Sequence, residues 1–298
     1  MWFWLSLVAI FFWSGSDLFS KMGSKPDDKY SHWKMVMAVG TVMGIHAIIE
    51  ICRGAEFQLS NMITYLPASA LYILSMVLGY VGLRYVVLSV STPICNSSGA
   101  VAALLCFFLL QQKMNVLQFV AVALVCIGIF LLSVLEKRQE DAQRLKAGIM
   151  PDKKYTYGFI AIFFPIFYCI LDGFGTFADA LLLDKYIKEE SANIAYELTF
   201  LLMGVAAFVY VVIIKKQKIK LRDEKPKMVA GVFETAGQFA YIYALGSNAI
   251  VSAPLISSYC LFSVLWARIL LKEKLPWKQY LAIAIAAVGI VILGMEGK

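Results

Sequence analysis

Acidic side chains lie inside otherwise apolar stretches of this 298-residue chain. Four are deep in such stretches and a fifth is nearer the end of one: Asp17, Asp172, Glu197, Glu234 and, near the end, Asp179. A charged group within hydrocarbon is costly unless it faces water or a polar partner. No lysine or arginine lies comparably deep, so ion pairs cannot neutralise all five acids. We therefore expect carboxylates that act as counter-ions for a cationic ligand, as proton carriers, or as both in competition.

Helical spacing places polar residues in three stripes, which together contain four of these acids. The stripes comprise Glu234, Gln238 and Tyr241; Tyr168, Asp172, Thr176 and Asp179; and Trp13, Asp17 and Ser20. Residues spaced three and four apart share one helix face, so each stripe is continuous, and the three could converge on one cavity. An alternative for Asp17 and Asp179 is an interfacial position, in which each caps a helix or pairs with a nearby lysine.

Aromatic and uncharged polar residues add to this candidate site. Trp13, Tyr80, Tyr168 and Tyr241 could stack on a ligand or contact a protonated amine through cation–π attraction, although ordinary packing is the alternative. The stretch "STPICNSSG" (91–99) and its near-echo "SAPLISSYC" (252–260) place Pro93 and Pro254 within helices as hinges. The candidate polar residues of the two stretches include Asn96, Ser97, Ser257 and Ser258. We expect either neutral hydrogen bonds to a ligand or hydroxyls that are satisfied locally at the hinges.

The elements that must position these residues are membrane-spanning helices. The chain is 60% hydrophobic and 16% charged, with a mean hydropathy of +0.74. Ten apolar blocks are long enough to cross a bilayer: 3–21, 33–52, 64–83, 89–110, 115–134, 157–183, 192–214, 228–246, 249–271 and 277–295. Within the second block, "GTVMG" (40–44) predicts close helix packing, possible also between subunits. In the same block, His46 is interpreted as a solvated partner of Glu50, four residues further along the helix.

Basic residues are distributed unequally between the two sides of these blocks. Alternate connections place 22 of the 27 Lys and Arg on one face and 5 on the other. The positive-inside rule puts the richer face in the cytoplasm, so both termini are predicted to be extracytoplasmic. We expect an integral protein of the bacterial inner membrane, and we interpret the basic loop at 215–227 as a topological signal rather than a nucleic-acid site.

The two halves of the chain are related in sequence. Aligning 90–132 with 251–293 without gaps gives 14 identities in 43 positions, including a proline, a lysine, a glutamine and a glycine in register. The match predicts a first five-helix repeat at 1–134, a charged loop at 135–156 and a second repeat at 157–298. Because five is odd, the repeats must be inverted, which makes the expected fold an all-α membrane protein of ten transmembrane helices. Inverted repeats are typical of transporters that bind substrate near the midplane.

The chain resembles a known family at the ends of both repeats. "LLKEKLPWKQYLAIAIAAVGIVILG" (270–294) and "LLQQKMNVLQFVAVALVCIGIFLLS" (109–133) are similar to the end of an EamA-type repeat of the drug/metabolite transporter superfamily. In the first of these segments along the chain, Gln112 replaces the acidic residue that appears as Glu273 in the second. The resemblance implies a ten-helix carrier of small organic molecules without an ATP-binding domain, and it implies no particular substrate.

These observations predict a secondary active transporter for a small polar or cationic metabolite, working by alternating access and coupled to protons. The partners expected are the substrate, protons and the lipid bilayer, with the protein a monomer or homodimer. The sequence shows no metal-binding, hydrolase or phosphate-loop motif, so we expect neither enzyme activity, nor a metal, nor a cofactor. The alternatives are a nucleotide-sugar or lipid-linked substrate carrier or flippase, and a non-transporting membrane scaffold.

Overall fold

Long apolar helices account for most of the computed structural model, which describes residues 1–23, 28, 30–82, 95, 97–146, 163–219, 222–270 and 276–296. The first half contains α1 (Trp2–Gly23), α2 (Ser31–Cys52), α3 (Leu59–Gly82), α4 (Ser98–Leu109) and α5 (Val116–Lys146). The second half contains α6 (Phe163–Lys185), α7 (Glu189–Phe208) with a π-helical extension (Val209–Ile214), α8 (Lys225–Ile256), α9 (Tyr259–Leu270) and α10 (Trp277–Glu296). The ranges described contain no β-strand.

Seven of these helices are long and apolar enough to cross a membrane: α1, α2, α5, α6, α7 with its extension, α8 and α10. Many large apolar side chains point outward, among them Phe108, Phe119 and Leu202. A soluble protein would bury such residues, whereas a membrane protein presents them to lipid. The protein is therefore an integral, all-helical membrane protein, and the count of ten spans stays a prediction.

The charged segment between the halves is partly helical, which corrects the predicted loop at 135–156. Helix α5 continues to Lys146, through the sequence "LEKRQEDAQRLK" (135–146). These residues are mostly strong helix formers, so the helix extends beyond its apolar part. Gln279 of α10 donates from its Nε2 to Oε1 of Gln139 at 2.9 Å, which ties this extension to the last helix.

A capping box starts α5 and includes Gln118, the glutamine that aligns with Gln279 of the second repeat. The Gln118 N–H donates to Asn115 Oδ1 at 2.7 Å, and the Asn115 N–H donates to Gln118 Oε1 at 3.1 Å. This reciprocal pair satisfies two of the backbone donors left free at a helix start. The equivalent glutamine in the second repeat, Gln279, pairs instead with Gln139.

The predicted boundary between blocks 228–246 and 249–271 coincides with a kink, and the second of these blocks is interrupted once more. Helix α8 runs to Ile256 with a kink at Asn248 (φ −164°, ψ 84°), and the chain turns at 257–258 before α9 begins. At the kink, Gln112 Oε1 accepts from the Ile250 N–H at 3.0 Å, while Ser252 Oγ donates to the Ala244 carbonyl at 3.1 Å. Side chains thus satisfy backbone groups that the kink frees, as polar groups inside a membrane require.

Pro254 lies within α8, two residues before the helix ends at Ile256, so the hinge predicted there is displaced to either side of the proline. The proline removes one backbone donor, and Ser257 Oγ donates to the Ala253 carbonyl at 3.1 Å close to the turn. Helix α9 restarts at Tyr259, and α4 starts at Ser98, which are equivalent positions under the shift of 161 residues. The other predicted hinge, Pro93, lies outside the described residues.

Contacts between the halves occur in exchanged pairs. Helix α1 packs against α8 and α3 against α6, while α1 also packs against α9 and α4 against α6. A Cβ added at Gly128 would meet Ala286 and Ala282, and one added at Gly289 would meet the equivalent residues, Val125 and Ala121. Each of these contacts from one half to the other thus has a counterpart in the opposite direction.

Helices α2 and α7 approach each other through glycines, which places the "GTVMG" contact within one chain. A Cβ on Gly40 would lie 2.4 Å from the Phe200 carbonyl oxygen, and one on Gly204 would lie 3.5 Å from the Val36 carbonyl oxygen. Both carbonyls belong to the residue four before the opposing glycine. The arrangement brings two backbones together where any side chain would separate them.

Candidate functional site

A cavity of about 240 Å³ lies between helices of both halves. Its lining consists of Trp13, Asp17, Tyr72, Cys95, Ser98, Gly99, Tyr168, Asp172, Thr176, Tyr196, Glu234, Gln238, Tyr241, Ala253, Ile256, Ser257 and Tyr259. These residues come from α1, α3, α6, α7, α8 and the chain around the starts of α4 and α9. Of the stripes predicted on the first, sixth and eighth helices, all members except Ser20 and Asp179 belong to this lining.

Three carboxylates face the cavity, and no lysine, arginine or histidine belongs to the lining that the structure describes. Asp17 is exposed, whereas Asp172 and Glu234 are half-buried. The cavity therefore presents net negative charge to whatever enters it. Asp17 is the most accessible of the three.

Hydroxyl groups of the two short helices, α4 and α9, hydrogen bond to two of these acids. Ser263 in α9 donates from its Oγ to Asp17 Oδ2 at 2.9 Å. Ser98, the first residue of α4, hydrogen bonds to Asp172, and Ser75 Oγ lies 3.5 Å from its Oδ1. Asp17 in α1 and Asp172 in α6 are thus each bound by the short helix of the opposite half.

Aromatic rings form one wall of the cavity. The ring centroids of Trp13 and Tyr241 are 5.0 Å apart, and those of Trp13 and Tyr259 are 6.0 Å apart. Tyr168 and Tyr196 line the cavity from other helices. Aromatic faces beside carboxylates suit a cation that also carries hydrocarbon.

Two buried donors in the lining make no hydrogen bond within the described structure. These are Nε1 of Trp13 and Nε2 of Gln238, and the Gln238 side chain is 3% exposed. Buried polar atoms are nearly always paired, so an unpaired donor beside a cavity is available to a ligand.

Asp179 lies at one end of the cavity without lining it, contrary to the interfacial alternative. Its side chain is 0% exposed, and the hydroxyl groups of three tyrosines lie within hydrogen-bond distance of its carboxyl oxygens: Tyr65, Tyr72 and Tyr241. No lysine contacts it among the described residues. Burial among hydroxyl groups, rather than an ion pair, satisfies this acid.

Glu197 is bound away from the cavity, and its partner corrects the interpretation of His46. Nδ1 of His46 lies 2.9 Å from both carboxylate oxygens of Glu197, and Asn193 Nδ2 donates to Glu197 at 3.0 Å. His46 therefore joins α2 to α7 instead of forming a solvated pair with Glu50. Glu50 hydrogen bonds to Arg53 at 2.9 Å.

A separate cluster of charged residues lies where α1 ends and where α2 and α8 begin. Lys34 Nζ lies 2.6 Å from Asp28 and 3.6 Å from Glu224, and the buried Lys227 pairs with Glu224. Burial raises the pKa of Asp28, but hydrogen bonds from Lys34 and the Tyr30 N–H outweigh it and hold the pKa below its usual value. The cluster does not contribute to the cavity lining.

The structure brings together most of the site residues predicted from sequence. Those in the cavity lining are Trp13, Asp17, Tyr168, Asp172, Glu234, Gln238, Tyr241 and Ser257. Ser258 is buried and Ser97 precedes α4, and neither lines the cavity, although Ser98 and Gly99 beside Ser97 do. The side chains of Tyr80 and Asn96 lie outside what the structure describes.

Four tyrosines of the site were not among the predicted residues. Tyr72, Tyr196 and Tyr259 line the cavity, and Tyr65 binds Asp179. Tyr65 and Tyr72 are seven residues apart, a spacing that places them on one face of α3. That spacing was the available signal. No such pattern distinguishes Tyr196 within α7.

Most of the chain matches a known protein family. The model of the EamA-like transporter family matches residues 1–134 and 163–295, which leaves only the connection and the last residues unmatched. A crystal structure of a protein with 12% sequence identity superposes with a TM-score of 0.71, covering 99% of this chain and 96% of that chain. At this identity the likeness concerns the fold alone. No curated protein matches the sequence.

Proposed function

Since the chain belongs to the EamA-like transporter family of the drug/metabolite transporter superfamily, we propose that it is a secondary active transporter for a small cationic organic metabolite. In this proposal the substrate binds in the cavity between the two halves. Its positive group contacts Asp172 and Glu234, with Asp17 at the opening. Proton movement drives the cycle, and the protein supplies no enzyme activity.

The observation that carries the proposal is the charge of the cavity. Three carboxylates line it together with aromatic rings, without a described cationic side chain. A volume of about 240 Å³ is slightly below the roughly 300–1,000 Å³ of pockets for drug-sized ligands, so the substrate is small. Carboxylates beside aromatic faces favour an ammonium group over a neutral or anionic one.

Alternating access between two inverted five-helix repeats is the mechanism proposed. The exchanged contacts support it, because Gly128 meets Ala286 and Ala282 while Gly289 meets Val125 and Ala121. A pseudo-two-fold axis relates such contacts, as isologous interfaces show in dimers. Both family-model matches and the equivalent starts of α4 and α9 agree with two related halves. The helices interrupted at the cavity resemble the discontinuous helices of secondary transporters in general.

The orientation proposed follows from the basic residues, with both termini outside and the basic loops in the cytoplasm. On this orientation Lys34, Glu224 and Lys227 lie at the cytoplasmic side. Asp179, at the end of α6, lies toward the outside. A bacterial inner membrane is the proposed location.

A carrier for nucleotide sugars or lipid-linked substrates is the alternative, and the cavity disfavours it. Phosphate binding requires cationic groups, and the described lining has none. The two arginines nearest to the helices, Arg84 and Arg268, have side chains outside the described structure. A scaffold without transport would leave the buried carboxylates without a role.

Thermal unfolding of the purified protein with a panel of small ligands tests the substrate class. Ethanolamine and choline represent primary and quaternary ammonium groups, and a nucleotide sugar represents the anionic alternative. We expect cations to raise the unfolding temperature and the anion to leave it unchanged. Asp172→Asn and Glu234→Gln should each weaken cation binding roughly 10- to 150-fold, since a charged hydrogen bond contributes about 1.5–3 kcal/mol.

Asp184→Asn is the matched control, because Asp184 is exposed on the same helix as Asp172 and does not line the cavity. It removes the same charge and should keep wild-type affinity. Stabilisation by the nucleotide sugar alone, or wild-type cation affinity in both cavity variants, would overturn the proposal.

A further inference from the structure

The carboxylate of Asp179 connects to the cavity only through hydroxyl groups. Tyr72, Thr176 and Tyr241 line the cavity, and all three belong to the cluster that surrounds Asp179. Asp179 itself is 0% exposed and lies behind them. The cluster is thus a polar path from the cavity to a buried acid.

Five short oxygen–oxygen contacts define this cluster. Tyr65 contacts Oδ1 of Asp179, on the side away from the cavity. Tyr72 and Tyr241 lie 2.9 Å and 3.0 Å from Oδ2, and their hydroxyls are 2.6 Å from each other. Tyr72 also lies 3.0 Å from Thr176 Oγ1. Oδ2, Tyr72 and Tyr241 therefore form a closed triangle.

Counting protons shows that an ionised Asp179 leaves this cluster incomplete. Each hydrogen bond requires one proton, and the four hydroxyl groups supply four protons for five contacts. One edge of the triangle would then bring two oxygens together without a hydrogen between them. A proton on Asp179 completes the triangle: Oδ2–H donates to Tyr241, Tyr241 donates to Tyr72, and Tyr72 donates back to Oδ2.

No described cation offsets a negative charge at this position. The titratable groups that face Asp179 are Tyr65 and Tyr72 of α3, Asp172 of α6, Tyr196 of α7 and Tyr241 of α8. All are neutral or acidic. An ionised carboxylate in such surroundings has hydroxyl dipoles but no countercharge, and a neutral one avoids the desolvation cost.

We propose that Asp179 is a proton-binding site of the transporter, separate from the carboxylates that bind the cation. Tyr72 and Tyr241 carry the proton between Asp179 and the cavity: each hydroxyl accepts one proton as it releases its own, so one proton moves in total. The inference rests on the proposed function for its role in transport, whereas the proton site itself does not depend on a substrate.

This division separates the two ligands in space. Tyr241 contacts Trp13 on the cavity side and Asp179 on the other, so a cation beside Trp13 is adjacent to the hydroxyl that receives the proton. A substrate that displaces the Tyr241 hydroxyl opens the triangle. The positive charge of the substrate favours the ionised form of Asp179, and the proton leaves through the Tyr72 hydroxyl to the cavity.

Infrared difference spectroscopy of the purified protein, without any substrate, tests the proton site. A pH titration should show a protonated carboxyl band that disappears reversibly at high pH. Asp179→Asn should remove this band, and Asp184→Asn should retain it. Identical titration spectra for wild type and Asp179→Asn would overturn the proposal.

Tyr65→Phe gives a second readout if the Asp179 variant does not fold. Tyr65 lies outside the cavity lining and binds Oδ1, the carbonyl oxygen of a carboxyl protonated on Oδ2. Removing this hydrogen bond should move the C=O band to higher frequency without abolishing it. A band unmoved by Tyr65→Phe would assign the proton to another group and overturn the inference.

Transport in proteoliposomes tests the coupling role, with ethanolamine and choline as probes. Asp179→Asn should keep cation–cation exchange, which needs no net proton movement, and lose at least tenfold of the accumulation driven by a pH gradient. Wild-type accumulation in this variant, or loss of exchange together with accumulation, would contradict a separate proton site. If neither probe is transported by the wild type, the failure concerns the cation transport proposed, and the infrared result still decides whether Asp179 binds a proton.

Discussion

At the scale of single residues, the partners of each acid distinguish the acidic residues that the sequence places within apolar stretches. Asp172 and Glu234 face the cavity, Asp179 is enclosed by tyrosines, and Glu197 binds His46. The partners are distant in sequence: Ser75 is 97 residues from Asp172, and Ser263 is 246 residues from Asp17. The residue types were therefore predictable, but the environment that distinguishes one acid from another was not.

Gln238 provides a prediction at this scale. Its unpaired Nε2 in the lining is available to an acceptor on the substrate, so Gln238→Leu should weaken cation binding about tenfold, the loss of one hydrogen bond of about 1.4 kcal/mol. The leucine has similar volume, so the unfolding temperature of the ligand-free protein should not fall. Titration of ethanolamine by calorimetry measures the effect.

Gln217→Leu is the control, since Gln217 is exposed beyond the end of α7. Unchanged affinity in Gln238→Leu would mean that the buried amide does not contact the ligand. A lowered unfolding temperature without ligand would instead assign Gln238 a structural role.

At the scale of elements, helix type was predictable and helix ends were not. Hydrophobic blocks located the helices, because lipid requires long apolar segments with satisfied backbones. Gln279 of another helix contacts the extension of α5 that ends at Lys146, and Gln112 pairs with the backbone at the kink near Asn248. Such contacts between helices have no local signal.

The α2–α7 contact gives a prediction at this scale. A Cβ on Gly40 would meet a backbone oxygen at 2.4 Å, whereas the closest atom to a Cβ on Gly204 is 3.2 Å away. Gly40→Ala should therefore destabilise the protein by about 1–3 kcal/mol, as overpacking does, and Gly204→Ala by less. Thermal unfolding in detergent compares the two variants, and equal unfolding temperatures would contradict the backbone separation in the structure.

At the scale of the whole molecule, the orientation in the bilayer follows from charge. We expect a cysteine replacing Asp223, in the connection between α7 and α8, to lie in the cytoplasm, and one replacing Glu56, between α2 and α3, to lie outside. In a background with Cys52 replaced by serine, an impermeant thiol reagent should label Glu56→Cys in intact cells. Asp223→Cys should be labelled only after permeabilisation.

The reverse labelling pattern would invert the whole molecule and exchange the sides assigned to Asp179 and to the Lys34 cluster. Labelling of both positions in intact cells would contradict the number of spans between them. Either outcome leaves the cavity and its carboxylates unchanged.

The sequence by itself determined that this is a membrane protein, the family to which it belongs and the residue types of the proposed cation site. These properties depend on hydrophobic block length and on spacing along single helices, both of which are local. Only the tertiary structure decided that Asp172 and Glu234 share a cavity while Asp179 lies behind Tyr72 and Tyr241. The physical reason is that a carboxylate's role depends on solvent access and on hydrogen bonds, and helices far apart in the chain supply both.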